Sequence, residues 1–389
     1  MHPLDAADPL AHYRDLFVEA PGVRAYLDGN SLGRPLKESV TRVAGFMTEQ
    51  WGGRLIQGWD EGWMSQAEAI GDDLGRVLLG AAPGQIAVGD STTVLLYKLV
   101  RAAVAARPDR TEIVIDRDNF PTDRYILEGI AAETGLTLRW IDAGDVTVDR
   151  LPLSDRTAVV VLSQVAYRSG FLADVPAITA AVHEVGALVI WDLCHSVGVI
   201  PTQLDAWDVD LAVGCTYKYL NGGPGAPAFL YVASLLQGSL RQPIQGWLGS
   251  ATPFEMGQGY VPAAGIRSFL SGTPPVIGML AMRDMIALLD EVGIEAVRAK
   301  SIELTEYALA LIAELLPEVT VSSPMDAANR GSHVTIDHPA FPALMPRLWE
   351  HGVIPDFRTP TGIRLGLSPL STSFAEVELG VRTIADALR

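Results

Sequence analysis

The sequence is poor in cysteine and has no pattern of metal ligands. Its only cysteines among 389 residues are Cys194 and Cys215, too few for a disulfide framework and without the spacing of zinc ligands. Both lie in apolar segments, where a cysteine is usually a small buried thiol. We therefore expect a reduced, cytoplasmic protein without a structural metal.

Basic residues and long apolar runs are also scarce. The 29 Lys and Arg against 46 Asp and Glu give a formal net charge of −17. Nucleic acids and anionic membranes bind basic surfaces, so this charge argues against both as partners. The chain has no uncharged apolar run of about 18 residues and no signal-peptide pattern at its start. We therefore expect neither a membrane span nor export.

What the sequence does contain is a regular alternation of strand and helix patterns. Hydrophobic residues make up 49% of the chain, which predicts a soluble globular protein with a large core. The segment 158–163 is continuously apolar up to its last residue, as in strands buried on both faces. Such strands alternate with helical segments from about residue 86 to 232. This pattern predicts an α/β fold with a largely parallel sheet, whose ligands bind at the carboxyl ends of the strands.

The two ends of the chain have different patterns. A short strand at 23–27 precedes a helical region at 36–80. A Gly- and Pro-rich break at 237–275 leads into one long helix over about 275–316 and a smaller α+β part. That part is predicted to contain strands at 318–322, 333–336 and 362–367 and helices near 340–351 and from Phe374 onward. We predict an N-terminal segment (1–60) packing on both domains, a large domain (61–275) and a small C-terminal domain (276–389).

Lys218 and Asp192 are the strongest candidates for chemistry. Asp192 ends one apolar strand, and Lys218 follows another 26 residues later, just before the Gly- and Pro-rich loop 222–225. Enzymes that use pyridoxal phosphate (PLP) need a lysine that bonds covalently to the cofactor. They also need a carboxylate that keeps the pyridine nitrogen protonated. A solvated lysine and a strand-end carboxylate are the alternatives for each residue alone, but the pair predicts a PLP site.

Other residues follow strand ends in the same region. Thr92 and Thr93 begin an apolar helix and could bind a phosphate, or the segment could serve only as a helix cap. Phe120 could stack on the cofactor ring or belong to the core, and His195 could contact the cofactor or cap a helix. Arg364 lies in an apolar strand and needs an anion, either a substrate carboxylate or an internal salt-bridge partner.

Four stretches of the chain resemble the kynureninase family. They are residues 26–33 (YLDGNSLG), 191–196 (WDLCHS), 217–223 (YKYLNGG), and 362–364 (GIR) with 368–370 (SPL). The resemblance covers nearly the whole length. It implies a fold-type I PLP fold with a mostly parallel seven-stranded sheet and a small α+β domain. It also implies a homodimer that hydrolyses L-kynurenine or 3-hydroxy-L-kynurenine in tryptophan catabolism.

The resemblance also implies roles for individual residues. Lys218 and Tyr217 would be catalytic, and Arg364, Ser31 and Trp59 would bind substrate. The implied cofactor-binding set is Thr92, Thr93, Phe120, Asp123, Ser163, Asp192, His195, Tyr217, Lys218, Trp247 and Thr273. Trp247 and Thr273 match positions that the second subunit supplies in the family. Tryptophans at helical spacing, such as Trp59, are also common in cores.

Three departures from the family pattern and several rival functions remain. Cys194 stands where the family usually has alanine, Ser371 where it has tyrosine, and Ala166 where it often has asparagine. The last two bear on the ring substituents of the substrate.

Cysteine desulfurases, selenocysteine lyases and aminotransferases share the predicted fold and are rival functions, although no cysteine follows Cys215 to carry a persulfide. A non-catalytic PLP- or phosphate-binding module is the alternative from another class, but it would not need both Lys218 and Arg364.

Overall fold

The computed structural model describes residues 2–142, 144 and 146–389, and within these residues twelve strands form two sheets. The strands are β1 (Ala25–Leu27), β2 (Ile86–Gly89), β3 (Glu112–Asp116), β4 (Thr137–Ile141), β5 (Thr157–Ser163), β6 (Leu188–Asp192), β7 (Leu211–Gly214), β8 (Ala228–Val232), β9 (Thr320–Val321), β10 (His333–Asp337), β11 (Val353–Arg358) and β12 (Gly362–Gly366).

The α-helices surround these sheets. They are α1 (Pro3–Ala7), α2 (Lys37–Gly45), α3 (Gly52–Arg54), α4 (Gln66–Leu74), α5 (Thr92–Ala105), α6 (Pro121–Thr134), α7 (Val175–Glu184), α8 (Ser234–Gln237), α9 (Leu280–Val292), α10 (Ile294–Leu315), α11 (Phe341–Glu350) and α12 (Phe374–Leu388). No helix of the described ranges is long and apolar enough to cross a bilayer.

The large sheet has the order β2-β8-β7-β6-β5-β3-β4. Only β8 runs antiparallel to its neighbours β2 and β7. Strands β2, β3, β6, β7 and β8 are buried along their whole length, and β5 is buried up to its last residue. Their continuous apolar composition follows because helices cover both faces of the sheet. The predicted seven-stranded, mostly parallel sheet is confirmed.

The small sheet has the order β1-β11-β12-β10-β9 and its own hydrophobic core. Strands β10, β11 and β12 are antiparallel, whereas β1 joins β11 in parallel. Side chains in β12 alternate between the apolar core, as at Ile363 and Leu365, and the opposite, polar face that carries Arg364. This arrangement matches the predicted α+β part, although β11 was not predicted.

The N-terminal segment contacts both cores. Ala25 and Leu27 of β1 belong to the core of the small sheet, while Phe17 and Leu36 belong to the core of the large sheet. The segment therefore lies between the two halves of the molecule. The boundaries 1–60, 61–275 and 276–389 stay a prediction.

Two expectations about helices are wrong. The single helix predicted over 275–316 is two helices, α9 and α10, because Gly293 between them adopts a φ of 84° that ends one helix before the next begins. The helical region 36–80 is also interrupted. Between α3 and α4 the chain forms short 3₁₀ turns, and Leu55 has a φ of 50°.

Helix α4 lies so close to the large sheet that one of its glycines has no room for a side chain. A Cβ added at Gly71 would lie 2.2 Å from the backbone oxygen of Ile86 in β2, whereas one at Gly129 in α6 would meet no atom within 4 Å. We expect Gly71→Ala to lower the free energy of unfolding by roughly 1–3 kcal/mol, because α4 must move off the sheet.

The matched control is Gly129→Ala, also inside a helix. It should raise the free energy of unfolding by about 0.4–1 kcal/mol through higher helix propensity and a less flexible unfolded chain. Chemical denaturation followed by circular dichroism measures both changes. Equal stability of the two variants would contradict the close approach of α4 to β2.

Candidate active site

A cavity of about 510 Å³ lies at the carboxyl ends of β6 and β7 and at the start of α5. This is the edge of a parallel sheet where ligands are expected to bind. Nine residues of the sequence-based set line it: Thr92, Thr93, Phe120, Asp123, Asp192, His195, Tyr217, Lys218 and Thr273. The cavity therefore brings most of the candidate cofactor residues together.

Lys218 lies at the centre of this cavity and is only 7% exposed. Its Nζ atom is 2.9 Å from Nε2 of His195 and 5.8 Å from the centroids of the Phe120 and Tyr217 rings. The fold places it there because β7 ends at Gly214 and the next four residues turn into the cavity. An amine in such surroundings is positioned for bond formation with a small ligand.

His195 is a buried, neutral base beside Lys218. Burial, reinforced by the positive charges of Lys218 and Arg364, holds the pKa of His195 well below its usual range. A neutral imidazole can accept a hydrogen bond from the Lys218 amine at Nε2. Its Nδ1 atom has no hydrogen-bond partner among the described residues and so remains free for a ligand.

Two carboxyl groups, those of Asp192 and Asp123, also line the cavity. Asp192 ends β6, and its Oδ1 accepts a hydrogen bond from the backbone N–H of Cys194 at 2.8 Å. Asp123 lies in the first turn of α6, where burial and then the nearby Asp192 raise the pKa of Asp123 well above its usual range. Its Oδ2 has no partner within the described part of the chain. A buried acid pair of this kind suits a ligand with a basic ring nitrogen.

The part of the cavity lining at the start of α5 is suited to an anion. Ser91 caps the 14-residue helix α5, and Thr92 and Thr93 begin it, so free backbone N–H groups and two hydroxyls face the same space. Thr273 lines this cavity from its own chain, whereas the family resemblance implies a contribution from a second subunit. Together with Lys218 these groups fit a cofactor that carries both an aldehyde and a phosphate.

Five residues of the sequence-based set do not line the cavity: Ser163, Trp59, Trp247, Ser31 and Arg364. Ser163 pairs with Asp192 across the sheet, but its hydroxyl donates to Oδ1 of Asn119 at 3.0 Å and borders a separate small cavity. Trp59 packs edge-on against Trp63 with ring centroids 5.4 Å apart. Trp247 contacts Phe254, with centroids 6.0 Å apart. The assigned roles of Ser163, Trp59 and Trp247 stay predictions.

Arg364 is fully buried on the polar face of the small sheet and has three partners. Its Nη2 donates to Oγ of Ser31 at 2.8 Å, and its Nη1 donates to the carbonyl oxygen of Tyr167 at 2.5 Å. Its Nη2 also lies 2.7 Å from Oδ2 of Asp356. The internal salt bridge considered from the sequence is therefore present, while the Nε atom has no partner among the described residues.

Sequence reasoning missed several polar residues around Arg364. Asp356 and Arg358 lie on the unpredicted strand β11, and His333 lies on β10 with its ring 5.7 Å from that of His195. The alternation of polar and apolar residues in 333–337 was a usable signal, because it marks one polar face of a strand. Asp28 is a further polar residue near Asp356. Burial, and after it the negative charge of Asp356, raises the pKa of Asp28 to about 6.

The two cysteines lie at the floor of the cavity, and both are buried free thiols. The backbone N–H of Cys215 lies 3.2 Å from Sγ of Cys194.

Asp116, at the end of β3, makes the stability of this region depend on pH. Burial and then Asp118 raise the pKa of Asp116 to about 7, from a usual value near 3.8. Because the folded state binds this proton more tightly than the unfolded state, the free energy of unfolding should fall as the pH rises from about 4 to 7. The slope from one such group is at most about 1.4 kcal/mol per pH unit.

We expect Asp116→Asn to make this decline shallower, since asparagine does not titrate. Urea denaturation at several pH values measures the slope. Asp149→Asn, which removes an exposed carboxylate, is the control and should leave the slope unchanged. A slope in Asp116→Asn as steep as that of the wild type would contradict the raised pKa.

Fold and site together define a fold-type I PLP enzyme. The fold is similar to that of a cystine C–S lyase in complex with cysteine persulfide, with a TM-score of 0.80 at 18% identity over 93% of this chain and 97% of that one. It is also similar to a cysteine desulfurase from Thermococcus onnurineus, with a TM-score of 0.81 at 17% identity over 96% and 97% of the two chains.

Sequence comparison narrows this class to one family. The kynureninase of Pseudomonas fluorescens is 39% identical over 99% of this chain and 94% of its own length, and that of Deinococcus radiodurans is 40% identical over 99% and 95%. The family described as "Kynureninase C-terminal domain" matches residues 297–384. The chain belongs to the kynureninase family.

Proposed function

We propose that this protein is a PLP-dependent hydrolase that cleaves the Cβ–Cγ bond of L-kynurenine or 3-hydroxy-L-kynurenine. The products are anthranilate or 3-hydroxyanthranilate, and L-alanine. The observation that carries the proposal is a match to kynureninases over 99% of a chain in which one cavity is lined by a buried lysine, a buried histidine and an acid pair. Such a reaction belongs to tryptophan breakdown.

The cavity residues fit PLP as a ligand. Lys218 would hold the cofactor covalently, Asp192 would pair with its ring nitrogen, and Thr92 and Thr93 at the start of α5 would bind its phosphate. Nδ1 of His195 and Oδ2 of Asp123 have no hydrogen-bond partner among the described residues, so both could bind the cofactor. When bound, PLP supplies an electron sink that stabilises negative charge next to the amino group of the substrate.

Lys218 and Tyr217 would carry the proton transfers. Lys218 is the candidate base for the α-proton, because its buried amine lines the cavity, 2.9 Å from Nε2 of His195. Burial raises the pKa of Tyr217 above its usual value, so its phenol keeps its proton at neutral pH. A protonated phenol that lines the cavity beside Lys218 is suited to donate a proton to Cβ of the substrate when the Cβ–Cγ bond breaks.

Arg364 and Ser31 would bind the α-carboxylate of the substrate. The free Nε of Arg364 and the hydroxyl of Ser31, already 2.8 Å from Nη2, support this role. Neither Ala166 nor Ser371 lines the main cavity, so we propose both kynurenine and its 3-hydroxy derivative as substrates. Trp59 would contact the aryl ring from a second subunit.

A desulfurase activity is disfavoured despite the shared fold. A persulfide-forming enzyme needs a reactive cysteine on the small domain, and no cysteine follows Cys215 in this sequence. Both cysteines are buried in the lining of the cavity. Burial raises the pKa of Cys215, but the hydrogen bond with Cys194 and the charge of Lys218 outweigh it, so this pKa lies below its usual value. The missing cysteine of the small domain is therefore what disfavours a desulfurase activity.

The purified protein with PLP should release a fluorescent anthranilate from kynurenine, from 3-hydroxykynurenine, or from both. Lys218→Arg should reduce kcat by at least about 10³-fold, because arginine keeps the charge but can neither bond to the cofactor nor act as a base at neutral pH. Fluorescence of the product and absorbance of the bound cofactor are the two measurements.

Lys300→Arg is the matched control, because Lys300 is another buried lysine but pairs with Asp8 away from the cavity. It should keep activity near the wild-type value. Absence of product from both substrates in a protein that binds PLP would refute the proposed reaction.

We also propose that the protein is a homodimer. Two segments, 47–56 and 254–261, expose large apolar side chains, with Ile56 74% and Met256 76% exposed, and they lie beside Trp59 and Trp247 in the chain. Contiguous exposed apolar surface is typical of subunit interfaces. A second subunit bound to these segments would explain why Trp59 and Trp247 do not line the cavity of their own chain.

Sedimentation should give about twice the mass of the 41.7 kDa chain. Ile56→Asp should shift the protein toward the monomer, because it would bury a charge in the interface. Leu235→Asp, at a residue that is 93% exposed on α8, is the control and should not change the mass. A monomeric wild type would contradict the dimer.

The remaining assignments concern location and partners. Two buried free thiols suit a reducing compartment, which supports a cytoplasmic location. The net charge of −17 supports a small-molecule substrate rather than a nucleic acid or an anionic membrane as partner.

A further inference from the structure

The polar face of the small sheet has one row of side chains that crosses three strands. Asp356 of β11 lies directly opposite Arg364 of β12, which in turn lies opposite Thr335 of β10. Residues directly opposite each other in a sheet point to the same side, so Asp356 and Arg364 contact each other by register alone. The backbone therefore fixes this pair before any ligand is present.

Asp356 makes two ion pairs through one oxygen. Its Oδ2 lies 2.7 Å from Nη2 of Arg364 and 2.6 Å from Nε of Arg358. The Arg364 side chain is fully buried, whereas that of Arg358 is partly exposed. Asp356 thus connects the buried guanidinium to a second cation nearer the solvent.

Such a carboxylate has two opposite effects on a substrate carboxylate at Arg364. Its negative charge repels the substrate, so charge alone predicts that removing it strengthens binding. Its ion pair with Nη2 at 2.7 Å draws the guanidinium to one position, so orientation predicts that removing it weakens binding. Whether mutation of Asp356 strengthens or weakens substrate binding therefore tells which of the two effects is larger.

We propose that Asp356, paired with Arg358, is a positioning residue that holds the guanidinium of Arg364 for the carboxylate of the substrate. This inference rests on the proposed function, in which Arg364 binds that carboxylate. The repulsive charge of Asp356 is offset by Arg358 at 2.6 Å, which leaves the orienting contact as the larger effect.

The partners of Arg364 explain why orientation depends on Asp356. The carbonyl of Tyr167 holds Nη1, while Ser31 and Asp356 hold Nη2 from two directions. Ser31 lies in a turn and also accepts from Nη2 of Arg358 at 3.4 Å, so it is shared between two arginines. Oδ2 of Asp356 makes no hydrogen bond, so its hold on the guanidinium is the charge attraction at 2.7 Å. Without Asp356, one carbonyl and one shared hydroxyl would be the remaining partners of the guanidinium.

Asp356→Asn tests the proposal with little change in shape. We expect KM for kynurenine to rise about tenfold or more while kcat changes less than about threefold, because the interaction lost is one of binding. Asp337→Asn is the matched control, since Asp337 lies on the same face and pairs with Arg168 at 2.8 Å but not with Arg364. It should change KM less than about twofold.

A binding measurement removes any dependence on the reaction. L-alanine and ethylamine differ only in the carboxylate, and both can be titrated into the PLP-loaded protein by the absorbance change of the cofactor. Asp356→Asn should weaken L-alanine binding about tenfold and ethylamine binding less than about twofold. In an Arg364→Lys background, Asp356→Asn should have no further effect, because it acts through the guanidinium.

The outcomes separate the inference from the proposed function. Wild-type protein that forms no anthranilate overturns the function, and the L-alanine titration then decides the role of Asp356 alone. Tighter L-alanine binding in Asp356→Asn, or an effect equal to that of Asp337→Asn, overturns the positioning role. If Asp356→Asn loses the cofactor absorbance or unfolds, Asp356→Glu keeps the charge and is expected to retain affinity within about threefold.

Discussion

Two buried cations at the junction of the sheets, Lys218 and Arg364, set the main constraint on this structure. A charge buried without partners is very costly, so each needs polar groups supplied by the fold. Lys218 has His195 at 2.9 Å, and Arg364 has a carbonyl, a hydroxyl and a carboxylate. Burial holds the pKa values of His195 and His333 well below their usual range, and the charges of Lys218 and Arg364 lower them further.

The site is built from both sheets because neither could hold both cations alone. The large sheet provides strand ends, where Asp192 and the residues after β7 meet at one edge. The small sheet provides a flat polar face, on which Asp356 and Arg364 lie opposite each other. The N-terminal segment packs on both cores and adds Ser31 as a hydrogen-bond acceptor for Arg364.

Much of the fold and part of the site could be predicted from the sequence. Buried parallel strands have a local signature, and residues at their carboxyl ends, such as Asp192 and Lys218, can be located by counting along the chain. The contact of Asp356 with Arg364 could not be predicted in this way. It depends on pairing between two strands, one of which contains Pro355 and has no clear apolar pattern.

The break at Gly293 was missed because a glycine inside a helical pattern is often tolerated, and only its φ of 84° shows the end of the helix. The position of Trp59 was not predictable either, because its spacing suits a core as well as an interface.

The pairing of β1 with β11 has a consequence for the order of events during synthesis. Ala25 near the start of the chain pairs with Val353, more than about three hundred residues later, so β1 leaves the ribosome long before its partner exists. Strands β10 and β12, which pair with each other, complete the sheet only as the last part of the chain emerges. The nascent protein therefore keeps its first strand unpaired while the large sheet forms. Ser31 and Arg364 are 333 residues apart, so the part of the proposed site around Arg364 is completed after the part around Lys218.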